Sequence, residues 1–254
     1  MSAANKKPKT SSRQGFATRA VHAGEDREHY ADAITTPIVQ SATYVFKDSK
    51  EIEAYTKRGK ERYEYGRYGN PTEKVAERRL AALEGAEDCV MFASGMSAIT
   101  TTILALVERH DHMVITDDAY KKTLEFCSQY LQRFDVGCTI VPFGDYDALE
   151  RAVGRRTRFI FSESPTNPYL NIFDLVKLRQ IAERHKVLTL IDSTFATPYN
   201  QRPLEFGVDL VIHSGTKYLG GHNDILAGAV LGGKELVDQV RDLHKAFGGV
   251  IDPH

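Results

Sequence analysis

No run of apolar residues in the chain is long enough to span a bilayer, and Met1 to Gln14 are polar and basic without the apolar core of a secretory signal. Membrane insertion and export are therefore not expected, and residues 1–14 read as a flexible tail. The cysteines are few: Cys89, Cys127 and Cys138, with no Cys-x-x-Cys spacing. That excludes a disulfide framework and leaves three reduced thiols in apolar contexts, as in a cytoplasmic protein. Charge is lacking as well: 33 basic residues against 34 acidic give a net -1, which offers nothing to nucleic acid or an acidic membrane. Arg155, Arg156 and Arg158 read as a solvated corner. No Gly-x-Gly-x-x-Gly follows a strand-like run and no Gly-x-Ser-x-Gly elbow occurs, which argues against a nicotinamide enzyme and a serine hydrolase. His110-Asp-His112 reads as a solvated turn, so no metal site is expected. There is no internal repeat.

What is present suits one large α/β domain. Gly15 to Lys47 shows few helical signals and reads as an extended N-terminal arm, continuing to about residue 63 through a short helix from Ser49 to Arg62. The aromatic and glycine-rich stretch Glu64-Tyr-Gly-Arg-Tyr-Gly-Asn-Pro-Thr72 opens the main domain, 64–254, and its Asn-Pro turn starts a helix with Ala76, Leu80 and Leu83 on one face and Gly85 at its end. From there strand-like runs recur at Cys89–Phe92, Met113–Thr116, Val136–Val141, Arg158–Ser162, Val187–Ile191 and Asp209–His213, separated by helical stretches. One helix from Tyr120 sets Leu124, Cys127, Leu131 and Phe134 on a stripe; another from Asp174 does so with Leu175, Leu178, Ile181 and Ala182. Continuous apolar strands alternating with helices predict a mostly parallel sheet with helices on both faces. Ile225–Leu231 reads as a further strand, with an antiparallel direction open to it.

Ligands of such a sheet collect beyond the carboxyl ends of its strands. After Phe92 comes Ala-Ser94-Gly95-Met96-Ser-Ala, opening an apolar helix from Met96 to Val107; its first N–H groups suit a phosphate. After Phe161 comes Ser162-Glu-Ser-Pro-Thr-Asn167-Pro168, whose prolines aim Asn167 and the hydroxyls at the same edge. Asp192 ends one buried strand and is costly to desolvate without a cation or donors. Beyond His213 stand Ser214, Thr216 and Lys217, the last either a solvated ammonium or a desolvated amine that condenses with a carbonyl. Together these answer the needs of pyridoxal 5'-phosphate: a lysine for the Schiff base, a carboxylate for the ring nitrogen and donors for the phosphate. Tyr120 offers a face for the ring.

Five motifs, Glu64–Thr72, Ala93–Met96, Glu163–Pro168, Asp192–Pro198 and His213–Asp224, resemble in order those of the Cys/Met-metabolism, or trans-sulfuration, family of fold-type-I pyridoxal phosphate enzymes, from about Gly15 to the last residue. The resemblance implies Lys217 as Schiff-base lysine and proton shuttle, Asp192 on the pyridine nitrogen, Tyr120 stacked on the ring and Asn167 at its phenolic oxygen. Ser94, Gly95, Met96, Ser214 and Thr216 would hold the phosphate, with Thr194 also at the cofactor. Tyr65 and Arg67 would reach the phosphate of a neighbouring subunit, in a homo-oligomer of dimeric active sites, commonly a tetramer. The wording Tyr-Gly-Arg-Tyr-Gly-Asn-Pro-Thr and Gly-His-Asn-Asp is that of the γ-replacing branch, which joins an O-activated homoserine and cysteine. A cysteine that some γ-eliminating members carry just after the tyrosine is Lys121 here. An eliminating lyase is the alternative, as is a non-catalytic cofactor-binding fragment, since members continue past a stretch like Gly248–His254 into a small C-terminal domain that this chain is expected to lack.

Overall fold

The computed structural model of the chain describes residues 14–26, 28–57 and 62–254, so the expected tail, Gln14 apart, lies outside the described residues. The arm is less extended than its composition predicts: Phe16–His22 form a helix, α1. No α1 residue is buried, and the helix is held from outside, by Arg19 Nη1 donating to the Ala82 carbonyl at 2.8 Å and Arg79 Nε donating to that of Ala23 at 3.2 Å. Tertiary contact supplies what periodicity could not. The next helix, α2 (Ser49–Thr56), is capped by Asp48; the expected continuation toward Arg62 runs into residues 58–61, outside the described set. In α3 (Pro71–Glu84) the local signals hold. The Asn70 side chain accepts from Thr72 N, Pro71 sits where its missing N–H costs nothing, and Gly85 closes the helix at φ 79°.

Beyond Gly85 strands and helices alternate as β1 (Asp88–Phe92), α4 (Gly95–Leu106), β2 (His112–Thr116), α5 (Lys121–Glu125), β3 (Gly137–Val141), α6 (Tyr146–Ala152), β4 (Thr157–Glu163), α7 (Leu175–His185), β5 (Leu188–Asp192), α8 (Thr197–Asn200), β6 (Leu210–His213), β7 (Gly228–Gly232) and α9 (Lys234–Phe247). The seven strands lie in the order β1-β7-β6-β5-β4-β2-β3, with β7 antiparallel to both neighbours and the remaining pairs parallel. Successive strand residues serve opposite cores. Met113, Ile115, Phe159 and Phe161 face α4 and α9 through Ile99, Ile103, Val237 and Val240. Val114, Ile160, Ile191 and Val211 face α6 and α7 through Leu149, Leu178 and Ile181. Each such side chain contributes about 1.5–3 kcal/mol by leaving water. Strands covered on both sides thus read as unbroken apolar runs.

Two expectations fail locally. The stripe from Tyr120 ends early: α5 passes into a π turn, Phe126–Tyr130, and a 3-10 turn, Leu131–Phe134, so the 3.6-residue repeat slips and Phe134 emerges 54% exposed while Cys127 and Leu131 stay buried. The last strand begins at Gly228, leaving Ile225 and Leu226 exposed on the connection before it. A helix unforeseen in the sequence, α9, follows it. Its buried stripe of Val237, Val240 and His244 is diluted by charged residues on the other face, and Gly248 ends it at φ 75°.

Gly228 marks where sheet and helix come closest. A Cβ there would stand 2.2 Å from the Ser94 carbonyl oxygen and 2.9 Å from Gly95 N, so the start of α4 would have to retreat. Gly228→Ala is expected to cost about 1–3 kcal/mol, read as a lower urea midpoint at unchanged m-value.

Candidate functional site

Because β7 alone is reversed, six strands present their carboxyl ends at one edge, with Phe92, Glu163, Asp192 and His213 among the last residues. At the first of these, Ser94 spends its hydroxyl on its own helix, accepting from Ser97 N at 3.1 Å. The N–H groups of Gly95 and Met96 have no acceptor among the described residues. A Cβ on Gly95 would lie 2.8 Å from Ser214 Cβ, so only glycine lets the α4 start meet the Ser214 turn this closely. Free N–H groups, the dipole of a twelve-residue helix and an adjacent hydroxyl make this a place for an anion.

Asp192 is buried, with 6% exposure, and accepts from Thr194 N at 3.0 Å and from the Thr194 hydroxyl. That hydroxyl oxygen in turn accepts from Ser214 N at 2.8 Å, which ties the acid to the turn carrying Lys217. Burial above all pushes the Asp192 carboxyl up from its ordinary range, while the Thr194 donors and nearby His213 pull it down. Among the described residues no lysine or arginine pairs with it. His213 is itself buried, its Nε2 at 3.0 Å from Glu84 Oε2. The site thus holds a desolvated acid in want of a cation.

Lys217 stands on a tight turn, where its N–H donates to the Ser214 carbonyl at 3.1 Å and its carbonyl accepts from Gly221 N at 2.8 Å. The Thr216 hydroxyl accepts from Ala227 N at 3.0 Å and donates to the Ala227 carbonyl at 3.3 Å, anchoring the turn to the chain entering β7. Lys217 itself lies past the end of β6 and is exposed, not desolvated. Its neighbour Tyr218 meets Phe195 edge to face at 5.6 Å, so the loops after β5 and β6 touch.

Tyr120, 41% exposed, caps α5, and its N–H is held at 2.7 Å by Glu163 Oε2. Asn167 is exposed at the same edge, but the hydroxyls flanking it turn inward. Ser164 accepts from Phe173 N at 3.1 Å and Thr166 from Asn171 N at 3.1 Å; their work is to hold the loop. Among the described residues no hydrogen bond or ring contact ties Tyr65 or Arg67 to this cradle: the Arg67 guanidinium donates to the Lys245 carbonyl and lies 5.4 Å and 5.0 Å from the rings of Tyr65 and Tyr68.

The opposite edge has other chemistry. His112 spends both ring nitrogens on the hydroxyls of Thr157 and Thr139, each at 2.9 Å, and His110 pairs with Asp135 at 3.0 Å, beside a cleft of about 480 Å³ at the amino ends of β2, β3 and β4. No group of three or more His, Cys, Asp or Glu residues among the described residues could hold a metal ion. Cys89 and Cys127 are buried and Cys138 is half-buried. No helix of the described residues is long and apolar enough to cross a membrane.

Sequence reasoning gave Glu163 no role. Its place shows only in the fold, where it closes β4 at the position matched with Asp192 on β5.

A mostly parallel sheet with an anion-ready helix start, a buried acid and a lysine turn at one edge has the architecture of the fold-type-I pyridoxal phosphate enzymes. A family model described as Cys/Met metabolism PLP-dependent enzyme matches residues 17–254. Cystathionine gamma-synthase 1, chloroplastic, of Arabidopsis thaliana is 45% identical over 92% of this chain and 42% of its own length. L-methionine gamma-lyase of Pseudomonas putida is 40% identical over 94% of this chain and 61% of its own. The crystal structure of metB from Corynebacterium glutamicum superimposes with a TM-score of 0.88 at 33% identity, covering 95% of this chain and 61% of that one. The chain belongs to the Cys/Met metabolism PLP-dependent enzyme family. It spans about half the length of the curated relatives it matches.

Proposed function

We propose that the chain forms the cofactor-binding part of an enzyme that joins an O-activated homoserine to cysteine, giving cystathionine. The observation that carries this reading is the hydrogen-bond line from Asp192 through the Thr194 hydroxyl to Ser214 N, which puts an uncompensated buried acid, a helix start with free N–H groups and the Lys217 turn on one scaffold. The donor set fits pyridoxal 5'-phosphate. Gly95 and Met96 N–H and the Ser214 hydroxyl suit the phosphate, with Thr216 fixing the turn beside it; Asp192 suits a protonated ring nitrogen, Thr194 steadies that acid, and Tyr120 lies open to the ring face. When bound, the cofactor supplies an aldehyde for covalent attachment and a ring that stores negative charge.

The residues do the rest. The Lys217 amine would hold the cofactor and, when free, would accept the α-proton of a substrate and return it farther along the substrate chain. Asp192 would meet the ring nitrogen as a carboxylate, in a charge-assisted pair that would offset the cost of its burial. Tyr65 and Arg67 complete the phosphate site of a second subunit, which makes the active unit a dimer and accommodates a tetramer. Small amino acids are the substrates, and the cytoplasm is the compartment we favour.

The methionine gamma-lyase relative, 40% identical, favours elimination as the second reading. The relatives named above are enzymes, so the idea of a non-catalytic fragment gains no support from them. The two reactions separate in one assay. An acylated or phosphorylated homoserine is incubated with and without cysteine. Cystathionine formed only with cysteine is the expected result; ammonia and a 2-oxo acid released at the same rate whether or not cysteine is present would reverse the order of the two readings.

A further inference from the structure

Glu163 has no part in the scheme above, yet it stands within its frame. It closes β4 in register with Asp192 on β5, and matched residues of neighbouring parallel strands point to the same face of the sheet. Both are buried, at 4% and 6% exposure. Its Oε2 holds the Tyr120 N–H at 2.7 Å. The groups that face its carboxyl are Asp192 from β5, Asp118 from the loop after β2, and the N–H donors of Tyr120 and Asn167, with no lysine or arginine among them.

We propose that Glu163 is a positioning residue that fixes the Tyr120 peptide at the mouth of the site, and that its grip tightens when a cation settles on Asp192. The identity of that cation, the protonated ring of pyridoxal phosphate, rests on the function proposed above. Two carboxylates buried side by side are not both ionised at neutral pH. Burial first, and the Asp192 charge second, push Glu163 up to about 8, so without a cation at Asp192 it keeps its proton. A cation there cancels the repulsion and leaves burial as the main force holding the proton, so part of it is released to solvent. The carboxylate then becomes a charge-assisted acceptor for Tyr120 N–H, roughly twice as strong as the neutral one. Loading the site would thus stiffen the ring-facing tyrosine through a residue that need not touch the cofactor. A plain helix cap would hold Tyr120 equally well whatever the state of Asp192.

The test uses the full chain as wild type, Glu163→Ala and Glu163→Gln. Hydrogen exchange at the Tyr120 amide is followed with and without pyridoxal phosphate, and proton release on cofactor binding is measured at pH 7 by calorimetry in buffers of different ionisation heat. In the cofactor-free chain, Glu163→Ala should speed exchange at Tyr120 by about tenfold, the loss of one hydrogen bond, while Glu163→Gln retains most of the protection. Adding pyridoxal phosphate should slow exchange at Tyr120 in the wild type but not in Glu163→Gln, which should also release fewer protons. Unchanged exchange in Glu163→Ala, or equal proton release by wild type and Glu163→Gln, would overturn the proposal. Failure of the wild type to take up pyridoxal phosphate would instead sink the function proposed above, while exchange at Tyr120 in the cofactor-free variants would still decide whether Glu163 is the tether.

Discussion

Replacing Lys217 by alanine should abolish covalent attachment of pyridoxal phosphate and its visible absorption, and lower turnover of the enzyme containing this chain by at least the 10²–10⁴-fold usual for a lost acid–base group, about 3–5 kcal/mol. The same change should leave folding nearly untouched. Lys217 is exposed, and it is the backbone of residue 217 that builds the turn, through the Ser214 carbonyl and Gly221 N. Exposed substitutions of this kind move stability by no more than about 0.5 kcal/mol. The informative result is therefore a pair: an unshifted urea midpoint together with a colourless protein. A Lys217→Ala chain that keeps both its absorption and its turnover would place the condensing amine elsewhere and dissolve the scheme.

Asp192→Asn should split stability from binding in opposite directions. The amide oxygen can still accept from Thr194, so the line to Ser214 survives, but the charge is gone. Losing a charge-assisted partner worth about 1.5–3 kcal/mol weakens cofactor binding on the order of ten- to a hundredfold, measurable by titration of absorbance. Without cofactor the same variant gains. Burial holds the Asp192 carboxyl, and burial with repulsion holds that of Glu163, above their unfolded values, so the folded chain keeps protons that the unfolded chain has released. Stability therefore falls as pH rises, for Glu163 across the window from its ordinary 4.5 to about 8. Removing the Asp192 charge removes both its own burial penalty and the push on Glu163. The cofactor-free variant should have a higher urea midpoint than wild type at pH 8, with the difference shrinking toward pH 4.5. A lower midpoint at pH 8 would mean that this carboxylate stabilises the empty fold and is not held for a ligand.

Much of this edge could be read from the chain before any coordinates. Asp192, the Ser94-Gly95-Met96 turn and the Lys217 segment each follow an apolar run, and strand ends are where a parallel sheet places its chemistry. What could not be read depends on geometry that periodicity does not encode. The π turn after α5 breaks the spacing from which Phe134 is expected inside, and α1 exists because Arg19 finds the Ala82 carbonyl. The inward turn of the Ser164 and Thr166 hydroxyls depends on where Phe173 and Asn171 fall after the loop. Glu163 went unnoticed because its meaning lies in a neighbour on another strand.

The reversed strand carries a consequence for how the protein is made. Among the described residues β1 pairs with β7 alone, Asp88 opposite Gly232, so the strand that leads into Gly95 waits for its partner while everything between is synthesised. Closing so long a loop is slow, and a ribosome still short of Gly232 displays an unmated apolar ribbon of Cys89, Val90, Met91 and Phe92. The anion cradle is completed only when the last strand takes its place beside β1.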